Sequence, residues 1–134
     1  MKIALWIVQS LLAAAFLLAG FMKTFTPVPE LAAQMPWVAD VPAWMPRLAG
    51  ISEILAAFGL ILPSLLRIKP WLTPLAAAGL LLIMVLASGL HVMRGEYAML
   101  LSNGLLAGLS AFVAYGRARL SPVPPRVVAG AAGA

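Results

Sequence analysis

Four apolar stretches, each about as long as a lipid bilayer is thick, constrain this chain more than any other feature. They run over 3–22, 47–66, 71–92 and 97–116. A helix rises roughly 1.5 Å per residue, so a run of about 20 apolar residues crosses a hydrocarbon core ~30 Å thick. Composition agrees. Of the 134 residues, 63% are hydrophobic and 10% charged, where a soluble domain carries about 25% charged residues. Soluble globular and disordered readings are excluded on that ground, and the length suits one domain.

Prolines punctuate the four segments. Pro63 falls near the end of the second, and Pro70 and Pro74 bracket the start of the third, where a first helical turn tolerates proline. The connections 67–70 and 93–96 are short, which makes neighbouring helices adjacent and antiparallel. The expected fold is therefore all-α, an integral membrane four-helix bundle over 1–117. Residues 118–134, rich in Pro, Ala and Gly, read as a flexible cytoplasmic tail. The loop 24–46 carries Pro27, Pro29, Pro36, Pro42 and Pro46. It cannot be one long helix, though a short one fits over 29–35.

Charge sets the expected orientation. Net charge is +5, but its placement argues against nucleic acid as a partner. Lys2, Arg67, Lys69, Arg117, Arg119 and Arg126 all gather at one end of the helices or in the tail. Lysine and arginine concentrate in cytoplasmic loops, so both termini are expected inside, in a multi-pass protein of the cell (inner) membrane. Trp6, Trp71 and Tyr115 then mark the inner interface, and Trp37, Trp44 and Tyr97 the outer one. Met1-Lys2 before an apolar run resembles a signal peptide, but no polar mature domain follows, so a retained first helix is expected.

Several chemistries are missing. There are no cysteines, which removes disulfides, thiolate metal sites and thiol relays. His91 is the sole histidine, so no metal site is expected within one chain. No phosphate-binding glycine loop or nucleophile elbow occurs.

What stands out is Glu53, a carboxylate inside an apolar helix. A charge at membrane depth costs roughly 2.5–3.5 kcal/mol on insertion scales and marks a functional site or a structural pairing. Glu53 lies about 9 Å deeper than Arg47 along a helix. Its stripe, Ala49, Gly50, Glu53, Ala56 and Ala57, is made of small residues that let membrane helices approach closely. On the first helix Gln9, Ala13, Phe16, Gly20 and Lys23 form one stripe, and on the third Met84, Ala87, Ser88 and His91 do. Asn103 on the fourth adjoins a Gly104–Gly108 GxxxG pattern, a weak indication of a homo-oligomer. Lys23, Arg47, Glu53, His91, Arg94 and Asn103 thus occupy one half of the bundle. We expect Glu53 and His91 to be the candidate catalytic groups. Lys23, Arg47, Arg94 and Asn103 are the candidate ligand-binding groups, with Trp37 or Trp44 covering the pocket. The competing readings are a structural ion pair for Glu53, interhelical glue for Asn103, and snorkelling interface anchors for the three cations.

At these residues the chain resembles the DoxX-like family of small four-helix membrane proteins. The resemblance rests on Leu18-Ala-Gly-Phe-Met-Lys23, Gly50-Ile-Ser-Glu-Ile-Leu55, Gly59-Leu-Ile-Leu-Pro63 and Trp71-Leu-Thr-Pro-Leu-Ala76. It continues through His91-Val-Met-Arg-Gly-Glu96, Asn103 and Phe112-Val-Ala-Tyr-Gly-Arg117, covering roughly residues 3–117. It implies the same fold, and a link to quinone-dependent membrane redox systems. A thiol-based role does not transfer to a chain without cysteine. Three functions follow as expectations. The first is a redox-associated protein binding a quinone-like or other lipophilic small molecule, with quinone as the candidate cofactor. The second is a non-catalytic subunit or anchor for a membrane redox partner. The third is an acid–base isomerase or hydrolase of a hydrophobic molecule.

Overall fold

The computed structural model describes residues 1–127. Residues 128–134, part of the expected flexible tail, lie outside the described residues. The order is α1 (Lys2–Phe25), α2 (Val28–Gln34), a 3-10 helix (Pro36–Asp40), α3 (Trp44–Leu66), α4 (Leu72–Met93) and α5 (Met99–Tyr115), which runs into a π-helical turn (Gly116–Leu120). Four of these helices are long and apolar enough to span a membrane: Lys2–Phe25, Trp44–Leu66, Leu72–Met93 and Met99–Leu120.

The four long helices form a closed ring. α1 packs most extensively on α3 and α4 on α5, α3 joins α4, and α1 touches α5. Arg47, in the first turns of α3, reaches the last turn of α1. Gly116, just past α5, lies against Leu5 at the start of α1. Neighbours around the ring are therefore antiparallel. One end carries α2 and the 3-10 helix, and we term it the long-loop end. The other carries the α3–α4 connection and residues 121–127, and we term it the tail end.

The interior is apolar and small. Leu12, Phe16, Ala57, Leu60, Ala77, Leu80, Met84 and Val113 form the core. Outside it stands a belt that includes Ile3, Leu18, Leu55, Phe58, Leu82, Leu86, Leu101 and Leu105, all exposed. An apolar surface of that extent suits lipid rather than water. The chain is a multi-pass membrane protein in contact with the bilayer.

Local chemistry explains the helix ends. Arg67 stops α3 in the left-handed conformation with φ 58°, and Lys69 repeats it with φ 46°. The reversal that follows is tight, and Ser64 and Thr73 stitch α3 to α4 there with a buried hydroxyl–hydroxyl bond of 2.7 Å. Pro63 does not end α3, which runs on to Leu66. It only deprives one carbonyl a turn earlier of its N–H partner.

Several boundaries differ from the sequence reading, among them the first span, which runs Lys2–Phe25 rather than over 3–22. The second span starts at Trp44, because Pro46 fits a helix's first turn. The short loop helix occupies Val28–Gln34 and hands over to the 3-10 turn at Pro36. The fourth span begins at Met99 and, through the π turn, reaches Leu120. Arg119, expected in the tail, therefore lies in the same helical run as Arg117. Beyond them the chain folds back: the Arg126 N–H donates to the Arg67 carbonyl at 2.7 Å, and Arg67 Nε donates to the Pro124 carbonyl at 3.0 Å.

Candidate functional site

The polar residues of the long-loop end meet because two glycines let α1 and α3 nearly touch. A Cβ added to Gly20 would lie 2.7 Å from the Gly50 carbonyl oxygen, and one added to Gly50 would lie 2.6 Å from Thr24 Oγ1 and 2.8 Å from the Gly20 oxygen. Backbone faces backbone at that crossing, so no larger residue fits without moving a helix. The crossing carries Lys23 onto Glu53, with Nζ to Oε1 at 2.7 Å. The Lys23 side chain is 15% exposed and that of Glu53 1%.

The three cations expected near Glu53 divide their work. Lys23 pairs with it. Arg47 Nη1 instead donates to the Lys23 carbonyl at 2.9 Å. That carbonyl is one of the last of α1, without an intrahelical partner, and the cation suits the negative end of the helix dipole. Arg94 does not approach Glu53. It bonds Asp40 and Glu96, tying the 3-10 helix to the α4–α5 connection. Those bonds, the Asp40 one first, hold the Arg94 guanidinium above its ordinary pKa.

The expected single pocket is two cavities. The larger, about 320 Å³, is a cleft between α3 and α4. Lys23 and Glu53 form its polar corner with Ser52, and Trp37 and Trp44 flank it. Leu48, Ala49, Ile83, Met84 and Leu86 supply apolar wall. Leu48 and Leu86, both lining the cleft, are exposed on the apolar outer surface. The smaller cavity, about 160 Å³, is lined by His91, Asn103, Glu96, Gln34 and Met99 among others. Lys23, Trp37, Met84 and Ala87 line both and form the wall between them. Glu53 and His91, the two candidate catalytic groups, thus border different cavities. Arg47 and Arg94 line neither.

Both cavities carry unused hydrogen-bonding capacity. Glu53 Oε2, His91 Nδ1 and Asn103 Nδ2 are buried without a partner. A buried polar atom left so costs about 1–3 kcal/mol, and such atoms are rare in folded proteins unless a ligand or water answers them. Among the described residues, no group of three or more His, Asp or Glu side chains is placed to hold a metal ion.

A second polar cluster, at the tail end, went unread in the sequence. Arg117 was counted among the positive charges of the inner side, and the structure buries it to 3% exposure. Its Nε donates to Gln9 Oε1, its Nη1 donates to the Ser121 carbonyl at 3.1 Å, and its guanidinium carbon lies 5.1 Å from the Trp6 ring centroid. Gln9 passes the contact on, donating from Nε2 to the Leu60 carbonyl at 2.7 Å. The available signal was Gln9 itself, a lone amide mid-helix in apolar sequence, which had to find a polar partner. The π turn hid that partner, since its wider winding rotates the residues beyond it away from α-helical phase.

The chain matches no curated protein and no solved structure. The family model of the DoxX-like family matches residues 7–113, a range that takes in the second and third spans whole, most of the first and fourth, both glycines of the helix crossing and every candidate site residue. The chain belongs to the DoxX-like family.

Proposed function

We propose that the larger cleft binds a lipophilic small molecule of the quinone type, with the Lys23–Glu53 pair at its polar end. The observation that carries this reading is an apolar cleft of about 320 Å³ ending on a carboxylate that keeps one oxygen unpartnered. Small-molecule sites are concave and mostly apolar, with a few placed polar groups, and begin near 300 Å³. A flat ring with carbonyl or hydroxyl oxygens fits that chemistry. Its face would pack against the apolar walls of the cleft, one oxygen would accept from Lys23, and a hydroxyl would donate to Glu53 Oε2. Leu48 and Leu86, exposed and lining the cleft, suit a molecule that arrives through the membrane.

The same reading makes the protein a membrane redox-associated component, oriented with the long-loop end outward by the distribution of its lysines and arginines. It disfavours an isomerase or hydrolase, since an acid and a base acting on one molecule need one cavity. The test is to purify the protein in mild detergent, extract it for copurified quinone, and titrate the apoprotein with a short-chain quinone. Copurification or saturable binding supports the proposal. Neither, in folded protein, removes it.

A further inference from the structure

The smaller cavity is the feature that the proposed ligand site does not use. It collects the chain's sole histidine and sole asparagine, and each is more than nine-tenths buried with one ring or amide nitrogen unpartnered. Residues that occur once in so apolar a sequence, placed side by side with free polar atoms, need an occupant that hydrogen-bonds. The cavity's volume is about 160 Å³. Water takes up roughly 30 Å³ per molecule in the liquid and settles where two or more polar partners exist, so a handful of waters fits.

The cavity also joins two places that matter. On one side is Lys23, whose Nζ bonds Glu53 Oε1 and whose side chain borders both cavities. On the other is Glu96, whose side chain is 27% exposed and whose Oε1 lies 3.7 Å from His91 Nδ1. The charged groups around His91 are Glu96 and Arg94 beside it, Asp40 on the 3-10 helix through Arg94, and Lys23 across the cavity.

We propose that the smaller cavity is a hydrated proton inlet, through which Glu96, His91 and water held against Asn103 connect the Lys23–Glu53 pair to the aqueous surface of the long-loop end. A proton passed from the Lys23 ammonium to Glu53 leaves a neutral amine and a neutral acid. A proton entering by the inlet restores the ammonium, and Glu53 can then give its proton to an oxygen in the larger cleft. Only N–H and O–H bonds form or break, and each proton spent is replaced from bulk water. Histidine suits the relay because its ring exchanges protons at both nitrogens near neutral pH. The purpose of the inlet rests on the lipophile-binding reading, but its existence does not.

The test uses the full-length protein in detergent micelles without added ligand. Lysine-selective ¹⁵N labelling gives three ammonium groups, Lys2, Lys23 and Lys69. Lys23, though paired and largely buried, is expected to exchange its protons with water rapidly. His91→Phe and Asn103→Leu are each expected to slow that exchange by an order of magnitude or more, while Lys2 and Lys69 stay unchanged. In the wild-type protein, magnetisation is expected to pass from water to the Asn103 carboxamide and the His91 ring. No transfer to either side chain overturns the proposal. So does Lys23 exchange that stays unaltered in both variants while they remain folded. A protein that shows the inlet but binds no quinone overturns only the ligand reading. One that binds quinone with a dry smaller cavity overturns only the inlet.

Discussion

Two cations are drawn inside at opposite ends of this bundle, Arg117 buried and Lys23 partly so, and they are handled differently. At the long-loop end Lys23 faces a carboxylate across 2.7 Å, beside two cavities that carry unpartnered atoms. At the tail end Arg117 bonds only neutral acceptors, an amide and a carbonyl, and stacks near an indole. The close helix contacts differ in the same sense. Gly20 and Gly50 set backbone against backbone, whereas a Cβ on Gly116 would meet only the end of the Leu5 side chain, at 2.5 Å. The long-loop end is built to fixed dimensions around open space, and the tail end is filled by packing. Arg117 also keeps one buried nitrogen, Nη2, without a partner, so what sets the long-loop end apart is the open space beside its charge pair.

Substitutions can break or sharpen that contrast. The largest effect is expected from Glu53→Ala. It strands Lys23 without a counter-ion and should destabilise the protein by about 3 kcal/mol, since removing one partner of a buried pair leaves an uncompensated charge. A Lys23→Leu/Glu53→Leu double variant should recover most of that stability yet bind no quinone, because an apolar pair packs where the ions stood. Unfolding in mixed micelles and ligand titration separate the two effects. Should the single variant prove as stable as wild type, the pair is not the buried element described here.

Next in size are Gly20→Ala and Arg117→Leu, each expected to cost about 1–3 kcal/mol, the first by overpacking and the second by leaving Gln9 Oε1 unanswered. They should part company in function. Gly20→Ala pushes α1 off α3 and weakens ligand binding with stability, while Arg117→Leu lowers stability alone. Equal losses of binding in both would erase the distinction between the two ends. Gly116→Ala should cost less than Gly20→Ala, because a leucine side chain yields where a carbonyl does not. The smallest effect belongs to Gly104→Ala and Gly108→Ala. Both glycines are exposed with nothing within 4 Å of an added Cβ, so thermal stability of the monomer should not fall. A change of oligomeric state in either, read by light scattering, would show that this face meets a second copy.

Much of this molecule was legible in its sequence, for identifiable reasons. Span length and hydropathy follow from the bilayer alone, so the four helices could be read directly. The Glu53 stripe of small residues marked a closely packed face, because close approach demands small side chains, but that α1 is the helix it meets came only from the structure. Choosing among Lys23, Arg47 and Arg94 was beyond reach. All three sit at helix ends, and spacing along a helix does not say whether a long side chain turns inward, back to a carbonyl, or across a loop. The division of the site into two cavities depends on where Lys23, Trp37 and Met84 pack, a tertiary matter. Arg117 was read only as one of the positive charges at the inner end of the bundle, because its contacts with Gln9 and Trp6 are a tertiary matter.

The central claim is that the cleft beside Glu53 holds a lipophilic ring, and the tryptophans offer the most direct measurement of it. Trp37 and Trp44 flank the cleft, while Trp6 and Trp71 do not line it. In a Trp6→Phe/Trp71→Phe background the remaining fluorescence therefore reports on the cleft. Titration with a short-chain benzoquinone should quench it saturably, and Ala49→Leu, which fills the larger cleft without bordering the smaller cavity, should abolish the saturable part. Quenching that only rises linearly with quinone, or that Ala49→Leu leaves untouched, would contradict the account.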